Sequence, residues 1–355
     1  MSSRILLLVG TRKGLFTFAS DAKRRVWRET GPLLPSWEVT GLLGDSRHGH
    51  RLFAGTGHMA YGATLRVSSD LGKGWTQLLH SPRYPAESGR IVHRIWDLAA
   101  HPTKADTLYA GVDEAGLFIS RDRGEHWTHH DTLGDDPTRP HWSRTKAGNP
   151  LHSLRFHPED PQHMWALVGG AGVVFSQDGG VNWAWRNNGL PPLDDHPELT
   201  HGVHRLVADP HDPLRLYLQH TGGLFGTDDG GLNWQPAGDG LPSRFGFALA
   251  VSPAGDLYSI PLDPESRCFA GGRLRVYARP RGESAWRPLP DSLPAEPHFV
   301  GVLRDALVVD GLDPVGLYFG TTQGDLFVSP DGGAGWLRLP GQFSRINTLR
   351  VWALE

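Results

Sequence analysis

Residues 176–183 read Ser-Gln-Asp-Gly-Gly-Val-Asn-Trp, and this octapeptide decides the fold because the chain repeats it. The pattern Ser/Thr-x-Asp-x-Gly-x-x-Trp occurs five times among the 355 residues. Two further copies keep the Trp spacing but lose the Asp and the Gly, and the matched tryptophans lie 48 to 56 residues apart. Self-similarity at this period is typical of a propeller, an array or a solenoid. The five complete copies are Ser68–Trp75, Ser120–Trp127, Ser176–Trp183, Thr227–Trp234 and Ser329–Trp336.

Each copy lies among four short runs of β-forming residues that are separated by turn signals. Four-stranded units arranged radially make a propeller, so the sequence predicts an all-β, seven-bladed β-propeller of four-stranded blades. The whole chain, 1–355, is expected to form a single domain. The predicted blades cover residues 5–30 together with 345–354, then 38–80, 91–131, 151–188, 203–238, 245–290 and 299–340.

The two ends of the sequence complement each other. The first repeat lacks a first strand, and the run 345–354 is a lone strand with no repeat of its own. We therefore predict that the C-terminal strand joins the N-terminal blade, which closes the ring and removes exposed sheet edges.

Composition excludes several classes of protein. The chain has 35 basic and 38 acidic residues and a net charge of −3, which argues against a nucleic-acid partner and gives no reason to expect a membrane partner. Cys268 is the single cysteine, so neither an intramolecular disulfide nor a zinc site with paired cysteines is expected. The apolar run Ile5–Val9 is too short for a signal peptide or a membrane span, so we expect a cytoplasmic location.

The octapeptide resembles the Asp-box, or bacterial neuraminidase repeat, and the whole chain is similar to single-domain bacterial propellers of the sialidase-like class. The resemblance implies that each box lies on the turn from the third to the fourth strand of a blade. We interpret the box carboxylates as structural, because equivalent sites spread around a ring cannot converge on one substrate. These carboxylates belong to Asp70, Asp122, Asp178, Asp229 and Asp331.

Histidine recurs near the start of three consecutive predicted first strands, in the segments Val92–Ile95, Leu151–Leu154 and Val203–Leu206. If these starts are equivalent, the three side chains lie at one level near the mouth of the central channel. Neutral imidazole binds zinc, copper and iron(II), so such a set of side chains could hold a divalent metal ion as cofactor. The predicted metal ligands are His93, His152 and His204.

The same alignment carries two further expectations. Glu38 and Asn347 occupy the equivalent position in neighbouring blades, so both belong to the predicted ring. Arg94 and Arg205 follow two of the histidines, and strand alternation is expected to turn these arginines away from the channel. The alternative to a binding site is a ring of polar residues that hydrates the channel.

The connecting loops differ in length around an otherwise regular ring, which favours a pocket on the face opposite the boxes. We expect this pocket to bind a small polar ligand, such as a carbohydrate. The predicted ligand-binding residues are Glu38, His58, Arg90, His93, His152, His204, Arg244, His298 and Asn347.

Three functional hypotheses remain open. The first is a small-molecule or glycan-binding protein with glycoside hydrolase-like chemistry; sialidase activity itself is not favoured, because the Arg-Ile-Pro motif typical of sialidases is absent. The second is a metalloenzyme that uses the histidine ring. The third is a non-catalytic scaffold that binds a protein partner.

Overall fold

The computed structural model describes residues 4–130, 132–143, 148–193, 200–290, 293–294, 296 and 298–354. The regular secondary structure of these residues is mainly antiparallel β-strand, and the strands are numbered β1 to β28 in chain order. Within the described residues, none of the helices has the length and apolar character needed to cross a membrane. Short 3₁₀ helices cover Ala86–Ser88, Leu133–Asp135, Arg139–His141 and Ala270–Gly272.

Five sheets of four strands follow one another along the described chain. The first contains β4 (Glu38–Asp45), β5 (Arg51–His58), β6 (Gly62–Ser68) and β7 (Thr76–Gln77). The second contains β8 (Ile95–Ala100), β9 (Leu108–Val112), β10 (Gly116–Ser120) and β11 (Thr128–His129). The third contains β12 (Leu151–Phe156), β13 (Met164–Val168), β14 (Gly172–Ser176) and β15 (Ala184–Trp185). The fourth contains β16 (Val203–Asp209), β17 (Asp212–His220), β18 (Gly223–Thr227) and β19 (Gln235–Pro236). The fifth contains β20 (Gly246–Val251), β21 (Leu257–Pro261), β22 (Tyr277–Arg279) and β23 (Arg287–Pro288).

An eight-stranded sheet joins the two ends of the described chain. One half contains β28 (Ile346–Leu354), β1 (Arg4–Thr11), β2 (Gly14–Asp21) and β3 (Arg28–Leu33). The other half contains β24 (Val302–Val309), β25 (Leu317–Thr321), β26 (Leu326–Ser329) and β27 (Leu337–Arg338). A single parallel pair, Asp305 with Thr348, connects the halves. As the sequence predicts, the C-terminal strand pairs antiparallel with the N-terminal strand, from Arg4 opposite Leu354 to Thr11 opposite Ile346.

The first strands of successive groups contact one another in the order β28, β4, β8, β12, β16, β20 and β24, and β24 returns to β28. The sheets therefore stand radially around a central channel, which is a propeller-like arrangement. Apolar side chains fill the spaces between adjacent sheets. One cluster joins Phe53 and Leu65 to Ile95 and Phe118 of the next sheet. Burying a large apolar side chain contributes about 1.5–3 kcal/mol, so these contacts hold the ring together.

The repeated octapeptide forms a hydrogen-bonded turn between the third and fourth strands. At Asp178, the hydroxyl of Ser176 donates to the carboxylate over 2.8 Å, and the same carboxylate accepts the Asn182 amide over 2.9 Å. The Gly180 amide donates to the Ser176 oxygen over 2.8 Å. The other four complete copies repeat these three contacts. The carboxylates are thus occupied by their own turns, as the structural interpretation requires.

The hydrogen bonds also lower the pKa of two of the box carboxylates. Burial alone would raise the pKa of Asp122, but hydrogen bonds from His126 and Ser120 lower it to about 2. The pKa of Asp229 is also about 2, because bonds from Thr227 and Asn233 outweigh the effect of burial. These anions therefore cap backbone amides across the whole neutral range of pH.

Candidate functional site

The first strands share one irregularity beside the channel. Ile95, Leu151 and Val203 pair with the last residues of their neighbouring second strands, and the regular pairing is interrupted directly afterwards or one residue later. The pairing of the other first strands is interrupted in a similar way, and in β24 the interruption covers more residues. We compare the residue that directly follows this first paired residue in each group. In six of the groups it is Thr40, Trp96, His152, His204, Phe247 or Asn347.

This register corrects the sequence alignment. Trp96, His204 and Asn347 are the unpaired residues at these irregularities, so the position expected for His93 belongs to Trp96. His152 also follows the first paired residue of its strand, but it is itself paired, with Leu167. His93 precedes β8 and is exposed. Glu38 lies two residues before the equivalent Thr40. The alignment is wrong for His93 because it matched an apolar-His pattern, whereas the register is set by pairing with the second strand.

His152 and His204 are buried, at 1 % and 8 % exposure. Nδ1 of His152 lies 3.3 Å from the Ser153 hydroxyl, and Nε2 of His204 lies 3.1 Å from the Thr221 hydroxyl. Burial, with the charge of Arg304 as the next cause, lowers the pKa of both imidazoles well below the ordinary value. Both rings are therefore neutral at physiological pH.

The structure does not bring the predicted metal ligands together. Among the residues it describes, no group of three or more His, Cys, Asp or Glu side chains is placed to hold a metal ion. His93 faces an open basin, whereas His152 and His204 are enclosed. The predicted triad of His93, His152 and His204 therefore has no geometric support.

A cavity of about 340 Å³ opens at one end of the channel, and we call it the mouth chamber. The Glu38 carboxylate contacts three other side chains in the wall of this chamber. Oε1 of Glu38 accepts from Arg345 over 3.1 Å and from the Asn347 amide over 3.3 Å, and Oε2 lies 3.4 Å from Arg94. The lining residues are Glu38, Thr40, Arg94, Trp96, Phe247, Leu303, Arg304, Asp305, Arg345 and Asn347.

An open cavity of about 920 Å³, the outer basin, shares Glu38 and Arg94 with the mouth chamber. His58, His93 and Asp113 also line it. Asp113 is 4 % exposed, and its Oδ1 accepts the backbone amides of His93 over 2.9 Å and of Arg94 over 2.7 Å. Burial nevertheless raises the pKa of the Asp113 carboxyl. The basin is therefore lined by one carboxyl whose pKa is raised by burial and by a second, Glu38, that is paired with arginines.

The other predicted ligand residues fall in different places. His58 lies in the outer basin, and its Nδ1 accepts the Ala60 amide over 3.1 Å. Arg90 stacks 3.9 Å from the Tyr84 ring centroid and donates to the Glu114 carbonyl over 2.7 Å, so it braces a loop. Arg244 is exposed, and His298 lies in a loop with its Nδ1 2.5 Å from the Glu296 carbonyl. Neither Arg244 nor His298 lines the two cavities.

A third and smaller cavity of about 50 Å³ lies in the channel, and we call it the inner chamber. Trp96 and Asp305 line both it and the mouth chamber. Its charged side chains are Asp97, Arg155, Arg205, Asp305 and Arg350. Arg205 forms an ion pair with Asp305 of β24, so the expectation that Arg205 turns away from the channel is wrong. The bulge at His204 interrupts strand alternation and accounts for this direction.

The sequence reasoning missed Trp96 and the channel arginines. One available signal was that Trp96 lies outside the regular series of box tryptophans. Another was that arginine occurs within four of the first strands, at Arg155, Arg205, Arg304 and Arg350.

No family model matches the sequence. A curated relative, the probable oligoxyloglucan-reducing end-specific xyloglucanase of Neosartorya fischeri, is 25 % identical over 223 residues. The alignment covers 61 % of this chain and 25 % of that protein, so the chain spans about a quarter of its relative's length.

Two solved structures are similar in fold. An ancestral GH74 enzyme superposes with a TM-score of 0.57 at 19 % identity, covering 84 % of this chain and 38 % of the enzyme. A putative 6-phosphogluconolactonase from Bacteroides uniformis superposes with a TM-score of 0.58 at 12 % identity, covering 99 % of this chain and 100 % of that chain. At these identities the similarity establishes a shared fold.

Proposed function

We propose that the chain is a single-domain, seven-bladed propeller of the Asp-box class, and that it binds a carbohydrate in the mouth chamber and outer basin. The blade count takes each half of the eight-stranded sheet as one blade, because a single parallel pair joins the halves in the part of the chain that the structure describes. Five sheets and two halves then account for the seven predicted units.

One observation carries the ligand assignment: aromatic and hydrogen-bonding side chains share the wall of the mouth chamber. Trp96 and Phe247 provide apolar surface, and Glu38 holds Arg94, Arg345 and Asn347 around one point. A sugar has apolar C–H faces and closely spaced hydroxyls, which match these two kinds of surface. A volume of about 340 Å³ suits one or two sugar rings.

Two carboxyl groups support glycoside hydrolysis at this site. Asp113 has a raised pKa from burial and is suited to give a proton to the leaving oxygen. Glu38, surrounded by arginine and amide donors, is suited to act as the carboxylate that activates water or attacks the sugar. Arg94 contacts both groups, through its amide at Asp113 and its guanidinium at Glu38. The xyloglucanase similarity makes xyloglucan oligosaccharides the first substrates to test.

Calorimetric titration with xyloglucan oligosaccharides and a panel of other neutral glycans tests the proposal. Trp96→Ala should weaken binding by about tenfold, because an aromatic face contributes ~0.5–1.5 kcal/mol beyond its buried area. Trp352→Ala is the matched control, since Trp352 packs on Gly44 in another part of the fold. Wild-type protein that binds no glycan, or Trp96→Ala protein that binds as tightly as wild type, would contradict the assignment.

A further inference from the structure

Four arginines from four different first strands lie along the channel, three of them in the wall of the inner chamber and Arg304 in the wall of the mouth chamber. Arg155 belongs to β12, Arg205 to β16, Arg304 to β24 and Arg350 to β28. Burial is the largest cause that lowers the pKa of Arg155, Arg304 and Arg350, and the charge of Arg205 lowers it further. Asp305 acts in the opposite direction on all three, and Asp97 does so on Arg155 and Arg350. Four guanidinium groups against two carboxylates leave an excess of two positive charges when all six are ionised.

The two carboxylates do not neutralise this excess. Among the described residues, Asp305 forms an ion pair with Arg205, while Arg155, Arg304 and Arg350 have no carboxylate within ion-pair distance. Asp97 instead accepts backbone amides, from Leu98 over 3.0 Å and from Leu154 over 2.8 Å. Burial raises the pKa of Asp97, which weakens its negative charge further. The cluster is therefore cationic in either protonation state of Asp97.

Several buried nitrogen atoms in and beside this cluster have no hydrogen-bond partner within the described part of the chain. Nε of Arg205 and Nε of Arg304 are buried without a hydrogen-bond partner among the described residues. Nε2 of His152, which lies within the field of the same arginines, is also buried and unpartnered. Burial, followed by the charge of Arg205, lowers the pKa of Arg155 to about 10, so its guanidinium remains charged at neutral pH. Buried charges and donors of this kind are normally paired, because desolvation without compensation is costly.

We infer that the inner chamber binds a small oxyanion, either tetrahedral like phosphate and sulfate or planar like a carboxylate. Guanidinium groups pair with such oxygens through two parallel N–H bonds, and Arg155, Arg205 and Arg350 all line the chamber. Its volume of about 50 Å³ exceeds the ~10–15 Å³ that one water needs and suits a single ion. This site does not depend on the proposed glycan site, although Trp96 and Asp305 line both chambers.

The test compares melting temperatures of the full chain in chloride, phosphate, sulfate and acetate at pH 7 and constant ionic strength. Wild type should show a saturable rise in melting temperature with phosphate and sulfate, or with acetate, and calorimetry should give one site. A response to the tetrahedral ions alone identifies phosphate-like ligands, and a response to acetate alone identifies carboxylates. Either result supports the inference.

Variants separate specific binding from general salt effects. The double substitution Arg155→Met with Arg350→Met should fold, because it removes unpaired buried charges, and it should lose the saturable response. Arg350→Gln alone should weaken binding of the oxyanion by about tenfold or more, since hydrogen bonds to charged groups are strong. Arg338→Gln, at an exposed arginine, is the control and should respond as wild type. The inference is overturned if wild type shows no saturable response beyond that of the double variant.

Discussion

Arg24 donates to Asp310 over 2.8 Å, and the two side chains are only 4 % and 1 % exposed. Arg24 stands in the first repeat where the complete octapeptides have their Gly, and its φ of 55° is left-handed like theirs. The same guanidinium donates to the carbonyls of Pro314 and Pro330, so it joins the N-terminal repeat to the last one. The first repeat has no complete box, and at this position an ion pair links the two halves of the eight-stranded sheet.

Arg24→Ala should lower the free energy of unfolding by about 3–5 kcal/mol, because it leaves a buried carboxylate without its cation. Urea denaturation of the variant measures this loss. The double substitution Arg24→Met with Asp310→Asn should recover part of it, because neither charge then remains buried. Equal losses in the single and double variants would show that the ion pair itself is not responsible.

Asp178→Ala should lower the free energy of unfolding by about 1–3 kcal/mol, since the Asn182 amide and the Ser176 hydroxyl lose their acceptor. Glycan binding should be unchanged, because the box lies on the turn between β14 and β15 and lines neither the mouth chamber nor the outer basin. Chemical denaturation and calorimetry on one preparation check both statements, with the exposed Glu159→Ala as control. Loss of binding with unchanged stability would refute the structural role of the box.

Stability should fall as the solution is acidified below about pH 6.5. Burial lowers the pKa of His220 to about 3, and its Nδ1 accepts the Gly222 amide over 2.8 Å. The unfolded chain, with an ordinary histidine pKa, therefore takes up this proton first, so the contribution is complete above pH 6.5 and is lost towards pH 3.

His220→Gln should reduce the dependence of unfolding free energy on pH by up to ~1.4 kcal/mol per pH unit in that window. Urea denaturation at pH 7.5, 6, 5 and 4 gives the slope for each variant. His211→Gln, at an exposed histidine, serves for comparison. If the dependence of unfolding free energy on pH is unchanged in His220→Gln, the buried imidazole is not responsible for the loss of stability in acid.

Asp113→Asn should reduce hydrolysis of a cleavable glycan by about 10²–10⁴-fold while leaving its affinity nearly unchanged, because only proton transfer is removed. Because the pKa of Asp113 is raised, wild-type turnover should decline on the alkaline side as this carboxyl loses its proton. Initial rates across pH and calorimetric affinities measure the two effects, with the exposed Glu87→Gln as control. Full activity of Asp113→Asn would assign the proton donor elsewhere.

The strands and the box turns could be predicted because each depends on local patterns, and the closing pair of β1 with β28 could be predicted because the first repeat lacks a strand and the last run has no repeat of its own. Spacing locates the boxes, and alternating apolar runs locate the strands. The channel residues could not be predicted in the same way, since a bulge of one residue changes which side chains face inward. His93 was therefore assigned the position of Trp96, and Arg205 was expected to point away from the chamber that it lines.

Because Arg4 pairs with Leu354, β1 lacks this partner strand until the ribosome has made the C-terminal strand. At about 5–20 residues per second, the ribosome needs roughly 20–70 s to make the strand that covers β1. During that interval the apolar segment Ile5–Val9 has an unpaired edge, which is a site for wrong association with other nascent chains. Ring closure thus leaves the edge of β1 open only during synthesis and not in the folded protein. We therefore expect β1 to be the segment of the emerging chain that most needs a chaperone.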